Sequence, residues 1–309
     1  MNAPIAFLGL GRMGLPMALR LLAAGFPLRA WNRSEAARTA LAAAAPADAR
    51  LQLCATADAA VAGTGLVITM LSDGPALRAL LFGSAPGPGV LALAAPQATL
   101  CDMSSIPPTM AREHAEWLSA AGFGALDAPV SGGVVGARDG TLAIMAGGAP
   151  QLLARHAAPL AVLGRVTHVG PAGAGQLAKL ANQVIVGITI GAVAEALLLA
   201  ARGGADPAAV RAAIRGGFAE SRILELHGAR MLIDDFVPGG AVQTQLKDLA
   251  TALDEARAAG LDLPITGLLR SLFAAARDHG DAALDHAALL RELARHNGLA
   301  PDGVLHAAG

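Results

Sequence analysis

Ionised side chains are scarce in this chain of 309 residues: Asp, Glu, Lys and Arg make up 15% of it, against 54% hydrophobic residues. This composition excludes an intrinsically disordered protein, because disordered chains are rich in charge and poor in apolar side chains. It also predicts that much surface is buried between subunits, so we expect a homodimer or a homotetramer. The length is sufficient for two domains, each with its own core.

An excess of positive charge is missing, and so are aromatic side chains. The formal net charge is -1, the pI is about 6.7 and the aromatic content is 3%. Nucleic-acid-binding domains usually carry a basic face for the phosphates and aromatic rings on which bases stack. We therefore expect no nucleic acid among the partners.

Cysteine is also rare. Cys54 and Cys101 lie far apart and lack the spacing of a disulfide framework or of a metal site. The eight histidines are scattered, and the cluster of histidines and aspartates at residues 278–286 is better explained as a loop followed by a helix cap than as a set of ligands. The sequence thus predicts no metal ion.

Apolar runs long enough to cross a bilayer are missing as well. The uncharged run 180–194 is shorter than the roughly 18 to 20 residues of a membrane span, and it contains Asn182 and Gln183. Near the N-terminus, Ile5–Leu8 has no basic lead and continues into a glycine loop instead of a cleavage site. We expect no membrane partner and no export signal, and hence a cytoplasmic protein.

A glycine-rich loop follows the first apolar run. Ile5–Leu8 has the pattern of a strand that is buried on both faces, and a helical stretch runs from Leu15 to Ala24. Glycines between a strand and a helix permit a tight turn and a close approach to a pyrophosphate, which the amides at the helix N-terminus attract. The sequence therefore predicts a dinucleotide-binding loop formed by Gly9, Leu10, Gly11, Arg12, Met13 and Gly14.

The second predicted strand, Leu28–Trp31, is followed by Asn32, Arg33 and Ser34. An NAD enzyme carries an acidic residue near this position for the adenosine ribose, and none stands here. A guanidinium and two hydrogen-bonding side chains suit a 2′-phosphate instead, so we expect NADP to be preferred, with NAD possible. In a second interpretation Ser34 only caps the next helix and Arg33 points into solvent.

Further strands alternate with alanine-rich helical stretches, which predicts a doubly wound, mainly parallel sheet. We place these strands at residues 66–71, 100–103, 125–130, 142–146 and 166–169. Ligands of such sheets bind beyond the carboxyl ends of the strands, so the residues that follow these ends are candidate contacts.

Three such strand ends carry loop-forming residues. Two of them supply candidate cofactor contacts, namely Met70, Leu71 and Ser72 after one strand and Ser104 or Ser105 after the next. Either of the latter serines could instead cap a helix that starts near residue 107. The third supplies a hydroxyl and unhindered amides for a small carboxylate, from Ser131, Gly132 and Gly133.

The second half of the chain has only helical patterns. From Gly203 on, the predicted helices are 206–215, 221–233, 243–259, 264–277 and 285–296. Before them, the stretch up to Arg202 is almost uncharged, as is typical of a helix surrounded by protein. The predicted architecture is a Rossmann-type α/β domain at residues 1–169 and an all-α C-terminal domain at residues 170–309, which includes a long connecting helix at about 173–202.

Lys179, Asn182 and Gln183 bring three polar groups to one face of the connecting helix. In one interpretation Lys179 reaches water from the helix end, and the amides satisfy a loop. In the other, Lys179 is a proton donor at a cleft, since a desolvated ammonium gives up its proton more readily.

Taken together, these motifs resemble the β-hydroxyacid dehydrogenase family over nearly the whole chain. The matching blocks are residues 9–14, 102–105 and 127–133, then 173–175 with Lys179 and Asn182, and finally 247–248. The resemblance implies an NADP- or NAD-dependent oxidoreductase that interconverts a short 3-hydroxy acid and its semialdehyde, with Lys179 as the catalytic lysine. It also assigns substrate contacts to Ser131, Gly132, Gly133 and Asn182, a nicotinamide contact to Ser105, and a place along the cofactor and substrate cleft to Lys247.

Within this family, Asn182–Gln183 and the segment 214–217 are similar to enzymes that reduce tartronate semialdehyde (2-hydroxy-3-oxopropionate) to glycerate, which is the reaction that we expect. Hydroxyisobutyrate dehydrogenases usually carry two adjacent asparagines there, and residues 134–137 suit several relatives, so 3-hydroxyisobutyrate or another 3-hydroxy acid stays open. Two further alternatives are an imine reductase, which typically lacks the lysine, and a non-catalytic NADP-binding assembly or regulatory protein, which the Lys179 and Asn182 pairing disfavours.

Overall fold

The computed structural model describes residues 3–83 and 87–306. Contacts divide the chain into two compact units, one ending at Lys179 and one beginning at Leu180. The first unit contains all nine named strands, which are β1 Ile5–Leu8, β2 Leu28–Trp31, β3 Leu51–Leu53, β4 Leu66–Thr69, β5 Thr99–Asp102, β6 Gly124–Asp127, β7 Val130–Ser131, β8 Leu142–Gly148 and β9 Gly164–Gly170.

These strands form one sheet in the order β3-β2-β1-β4-β5-β6-β8-β7, with β9 also paired to β8. The pairs from β3 to β6 are parallel, whereas β8 runs antiparallel to β6 and β7 and parallel to β9. The mainly parallel, doubly wound sheet expected from the sequence is thus confirmed. Its carboxyl edge gathers the ends of β1, β2, β4, β5 and β6, which are the strand ends relevant to ligand binding.

Two details of the predicted strands were wrong. The three-residue edge strand β3 was missed, because only Leu51 of it is even partly buried and no apolar pattern marks it. The single strand expected over 125–130 is broken after Asp127, and the chain resumes as β7 beyond Pro129. Proline has no amide hydrogen to donate to a ladder, so it interrupts a strand at this point.

The helices of the first unit cover both faces of the sheet. They are α1 Gly14–Ala23, α2 Glu35–Ala44, α3 Ala57–Val61, α4 Gly74–Leu81, α5 Pro108–Ala120, α6 Gly133–Asp139, α7 Pro150–Arg155 and α8 Ala157–Leu163, with a 3-10 turn at Gly89–Leu93. Phe7 and Ile68 belong to the core on one face, and Leu8 and Val67 to the core on the other. The continuous apolar runs in the strands therefore arise because both faces are buried.

One long helix, α9 (Ala174–Arg202), crosses the boundary between the units. Its length and composition would allow it to span a membrane, but the core helices of globular proteins pass the same test, so this is weak evidence for a membrane.

The described residues of the second unit contain helices and no named strand. Its helices are the C-terminal part of α9, then α10 Pro207–Ile214, α11 Arg222–Met231, α12 Val242–Ala258, α13 Pro264–Ala276 and α14 Leu289–His296, with a π-helical turn at Arg277–Asp281 and a 3-10 turn at His286–Ala288. They enclose a core that includes Ile190, Leu249, Phe273 and Leu289. The helices predicted beyond Gly203 are confirmed, with ends shifted by one or two residues except at the last, whose first turn is 3-10. The helix cap predicted near residue 285 is also confirmed, since the Asp285 side chain accepts a hydrogen bond from the amide of Ala287.

Candidate functional site

The glycine loop between β1 and α1 has the close contacts that a dinucleotide-binding loop requires. A Cβ at Gly9 would lie 2.3 Å from the carbonyl oxygen of Met70, and one at Gly14 would lie 1.9 Å from that of Gly9, so both positions need glycine. A Cβ at Gly11 would meet no atom within 4 Å. Gly9 and Gly14 therefore bring strand, loop and helix together, while Gly11 leaves open space through which a pyrophosphate can approach the N-terminus of α1.

The end of β2 carries Asn32, Arg33 and Ser34, the three residues that the sequence predicts for a 2′-phosphate. The Oδ1 of Asn32 accepts a hydrogen bond of 2.9 Å from the amide of Leu10 and so fixes the glycine loop, while its Nδ2 donates to the Ser34 carbonyl at 3.4 Å. Ser34 stands at the N-cap of α2 without a side-chain capping bond. Both Arg33 and Ser34 are exposed. The charged and hydroxyl groups that remain at this strand end are thus those of Arg33 and Ser34.

The loops after β4 and β5 are tied to each other by Ser104. Its buried hydroxyl accepts a hydrogen bond of 2.9 Å from the amide of Leu71. The helix cap considered for Ser104 and Ser105 is not formed, because α5 begins at Pro108 with Pro107 at its N-cap and no side-chain cap. Ser105 is half-buried, as are Met70 and Leu71, while Ser72 is exposed. These candidate cofactor residues therefore lie together at the carboxyl ends of two neighbouring parallel strands.

Asp102 at the end of β5 connects the ends of β4 and β5 through its side chain. Its Oδ1 accepts hydrogen bonds from the Thr69 hydroxyl at 2.7 Å and from the Ser104 amide at 3.1 Å. Burial raises the pKa of Asp102 to about 6, against the effect of the Ser104 and Thr69 hydrogen bonds. This carboxyl is a structural group that holds the two loops in register.

Ser131, Gly132 and Gly133 form the turn from β7 into α6. The backbone angle φ is +140° at Gly132 and +64° at Gly133, which side chains other than glycine rarely adopt. Both glycines are exposed, and Ser131 is half-buried. The turn thus presents a hydroxyl beside accessible backbone, as the sequence predicts for a carboxylate contact.

Lys179 lies in the second turn of α9 and is half-buried. The first turn of that helix is held by Asp127, whose Oδ1 accepts from the Gly173 amide at 2.8 Å and whose Oδ2 accepts from the Gln176 amide at 2.9 Å. Burial raises the pKa of Asp127, while backbone amides such as those of Gly173 and Gln176 oppose the shift. Lys179 is therefore carried by a helix whose start is fixed to the end of β6.

In the second unit, Asn182 and Lys247 belong to one polar network. The Asn182 amide donates to Gln183 at 2.9 Å, and Gln183 donates to Asp248 at 2.7 Å. The other carboxylate oxygen of Asp248 lies 3.3 Å from the Lys247 amine, and buried Gln245 donates to the Gln183 carbonyl at 2.9 Å. The supporting roles of Gln245 and Asp248 were not predicted, although two buried polar residues three apart on an amphipathic helix were a usable signal.

A cluster of two histidines and one aspartate in the second unit has the composition of a metal site. Among the residues that the structure describes, His227, Asp285 and His286 place potential ligand atoms within 4.8 Å of one another. The Asp285 carboxylate already accepts from the amides of residues 239–240 at 2.7 and 3.1 Å and pairs with Arg230 at 2.9 Å. Burial by itself would raise the pKa of Asp285, but hydrogen bonds and the neighbouring His227 and His286 hold it well below its usual range. A carboxylate engaged in this way is a structural anchor.

The fold and these residues define a class: an α/β protein that binds a dinucleotide at the carboxyl edge of a parallel sheet and carries a lysine on the helix that follows. Comparison with known proteins supports this class. Residues 4–170 match the NAD binding domain of 6-phosphogluconate dehydrogenase, and residues 173–293 match the NAD-binding domain of NADP-dependent 3-hydroxyisobutyrate dehydrogenase.

Similar proteins cover almost the full length. The chain is 41% identical to the 2-hydroxy-3-oxopropionate reductase of Escherichia coli, over 94% of this chain and 96% of that one. It is 38% identical to the 3-hydroxyisobutyrate dehydrogenase of Pseudomonas aeruginosa, over 92% and 95% of the two chains. A solved structure of the 3-hydroxyisobutyrate dehydrogenase of Mycobacterium tuberculosis with L-serine matches with a TM-score of 0.83 at 33% identity, over 95% and 99%. The chain belongs to the family of NAD(P)-dependent β-hydroxyacid dehydrogenases and is an oxidoreductase.

Proposed function

We propose that this enzyme reduces tartronate semialdehyde to glycerate with NADPH, and that Lys179 donates the proton. The observation that carries the choice of substrate is the 41% identity to a 2-hydroxy-3-oxopropionate reductase over 94% of the chain. Support for the chemistry comes from Lys179, a half-buried amine on a helix that is anchored beside the carboxyl edge of the sheet.

In this proposal, bound NADPH supplies the hydride that reduces the aldehyde carbon. Lys179 gives a proton to the alkoxide oxygen as the negative charge develops there, and in the reverse direction the neutral amine accepts the hydroxyl proton. Ser131, Gly132 and Gly133 hold the substrate carboxylate. Asn182 binds the substrate hydroxyl.

The polar network of the second unit fits these roles. Gln183 and Asp248 fix the orientation of the Asn182 amide and of the Lys247 amine through hydrogen bonds and an ion pair. A side chain whose rotamer is already fixed loses less conformational entropy when it binds a ligand. We assign Lys247 to contacts with cofactor and substrate, where its charge favours anions.

We also propose that NADP is preferred over NAD, that the protein works in the cytoplasm, and that it acts on small 3-hydroxy acids or semialdehydes. The cofactor preference is supported by the missing acid at the end of β2 and by the exposed Arg33 and Ser34 beside it. The same fold binds either NAD or NADP within the family, so the residues at this strand end determine which of the two is preferred.

The test is a steady-state screen of short 3-hydroxy acids and their semialdehydes with both cofactors. We expect the highest kcat/KM for tartronate semialdehyde with NADPH. A higher value for the 3-hydroxyisobutyrate pair would make the second candidate, suggested by the 38% identical relative, the correct one. Tight NADPH binding without turnover of any substrate would support a non-catalytic role instead.

Replacing Lys179 by Ala should lower kcat by about 10² to 10⁴, the contribution usual for a positioned acid, and leave the Kd for NADPH almost unchanged. Leu177→Ala is a matched control, since Leu177 is 45% exposed on the same helix and belongs to none of the proposed contacts. A Lys179→Ala enzyme with nearly normal turnover would refute the assignment.

A further inference from the structure

A buried side chain, Gln176, joins the loop after β5 to the helix that carries Lys179. Its Nε2 donates to the Ser104 carbonyl at 2.8 Å, and its Oε1 accepts from the Ile106 amide at 3.2 Å. The side chain is only 1% exposed. Because a primary amide is both donor and acceptor, it satisfies two backbone groups on either side of Ser105.

Asp127 holds the same turn of α9 from the other side. It accepts from the amides of Gly173 and Gln176, which lie at the start of the helix. The approach is close: a Cβ at Gly175 would lie 2.3 Å from the Asp127 carbonyl oxygen and 2.4 Å from that of Met145. The first turn of α9 is therefore fixed to β6 and β8 by its backbone and to the β5 loop by the Gln176 amide.

Lys179 follows Gln176 by three residues, so both lie on one face of the helix, about 4.5 Å apart along its axis. Any tilt or slide of the first turn moves the lysine with it. Proton transfer requires the donor within hydrogen-bond reach of the acceptor, and a misplacement of about 1 Å can cost on the order of 10²-fold in rate.

We propose that Gln176 and Asp127 are positioning residues, which fix the Lys179 amine relative to the loop at Ser104–Ile106. This inference rests on the proposed role of Lys179 as the proton donor. Neither residue touches the reacting atoms in this scheme. Gln176 acts through the helix backbone and the β5 loop, and Asp127 acts through the helix amides.

The kinetic test uses two substitutions of similar size. Gln176→Met removes both hydrogen bonds and should lower kcat about 10- to 100-fold, while the Kd for NADPH changes by no more than about threefold. Gln176→Glu keeps the acceptor for the Ile106 amide but can donate to the Ser104 carbonyl only when protonated. Its kcat relative to wild type should therefore be highest at low pH and fall as the pH rises.

Asp127→Asn is the complementary variant, because an amide can accept from only one of the two helix amides that the carboxylate holds. Leu177→Ala again serves as the control on the same turn, with kcat expected to stay near the wild-type value. Unchanged kcat in Gln176→Met, or a ratio of Gln176→Glu to wild-type kcat that does not vary with pH, would overturn the proposal.

A second measurement does not depend on the substrate. The sequence contains only two lysines, Lys179 and Lys247, so reductive ¹³C-dimethylation of the whole protein labels these amines and the α-amine. Lys179→Arg and Lys247→Arg variants assign the resonances. In Gln176→Met, and in Gln176→Glu at high pH, the Lys179 resonance and its titration should shift, whereas those of Lys247 should match wild type.

The two readouts separate the two hypotheses. A shifted Lys179 signal in an enzyme that turns over no 3-hydroxy acid or semialdehyde would reject the proposed function and keep the positioning role. Full activity of the wild type with identical Lys179 titration in all Gln176 variants would reject the positioning role alone. If Gln176→Met does not fold, Gln176→Glu, which matches the shape of glutamine, provides both readouts at pH 5.5 and 8.

Discussion

At the scale of single residues, the choice between lysine and arginine is informative. The chain has 21 arginines and two lysines, and arginine makes exposed ion pairs such as that of Arg222 with Glu225. A guanidinium keeps its proton throughout the range in which proteins are stable, whereas an ammonium can release it when its surroundings disfavour the charge. Lysine at 179 is therefore consistent with proton transfer, and not merely with a need for positive charge.

Arg33 is the residue on which we expect the cofactor preference to depend. Hydrogen bonds to a charged group contribute about 1.5 to 3 kcal/mol, which corresponds to roughly 10- to 100-fold in affinity. Arg33→Glu should thus raise the Kd for NADPH by at least about tenfold and leave that for NADH within about threefold. Titration of both cofactors by fluorescence or calorimetry gives the two constants.

The control for this prediction is Arg50→Glu, which makes the same change in net charge. Arg50 is exposed and lies near the opposite end of β2, where its carbonyl accepts from the Leu28 amide. The Arg50→Glu variant should leave the ratio of the Kd for NADPH to the Kd for NADH unchanged. An unaltered ratio in Arg33→Glu as well would place the 2′-phosphate contact elsewhere.

Asn32 and Ser104 show what could be predicted at this scale. Their positions after parallel strands identified the carboxyl edge of the sheet, and the structure places both residues there. The partners of their side chains were not predictable, because Asn32 bonds the amide of Leu10 and Ser104 that of Leu71, 22 and 33 residues away. Such contacts depend on strand order, which the pattern of a single sequence leaves open.

At the scale of elements, α9 was the most predictable feature, since its uncharged run and the flanking glycines indicate both its type and its length. Its exposed face was less predictable. The exposed positions of α9 in the second unit include Ile185, Ala192, Glu195, Ala196 and Leu199, which form a single stripe at helical spacing. Ile185 and Leu199 are 66% and 76% exposed. Apart from Glu195 the stripe is apolar, and an exposed apolar surface of this kind is typical of an association surface.

We propose that a second copy of the chain covers this stripe, in line with the low charge content. The wild type should sediment as a dimer or larger at micromolar concentration. Ile185→Glu and Leu199→Glu should weaken self-association at least about tenfold, because each buries a charge in an apolar contact. The measurement is analytical ultracentrifugation over a range of concentrations.

Leu93→Glu provides the comparison, since Leu93 is 48% exposed in the first unit and lies outside the stripe. It should sediment as the wild type does. A wild-type chain that is monomeric at all concentrations would contradict the proposal, as would stripe variants that associate as tightly as the wild type.

At the scale of the whole molecule, two buried titratable groups, His114 and Asp102, should change the free energy of unfolding with pH in opposite directions. His114 is 3% exposed and packs against Phe82, with 4.5 Å between ring centroids. Burial is the largest cause that lowers the pKa of His114 to about 4, with Glu113 opposing and Arg78 reinforcing the shift. In the unfolded chain histidine titrates near pH 6.5.

Between pH 6.5 and 4 the unfolded state therefore binds a proton that the folded state rejects, and His114 lowers the free energy of unfolding as the pH falls. Phenylalanine keeps a ring and cannot titrate. We expect the free energy of unfolding of His114→Phe, relative to wild type, to increase by about 1 to 3 kcal/mol between pH 7.5 and pH 4.5. Urea unfolding at both pH values measures this, with His296→Gln, at an exposed position, as the control.

Asp102 should act in the opposite direction. Because burial raises its folded pKa to about 6, from an unfolded value of about 3.9, the folded state binds the extra proton, and stability falls as the pH rises from about 4 to 6. Asp102→Asn mimics the protonated acid, so its stability relative to wild type should increase with pH, whereas that of His114→Phe should decrease. Both groups belong to the first unit, and their contributions to the pH dependence of its stability oppose each other over this range. Curves that run parallel to wild type for both variants would show that neither group titrates differently on folding.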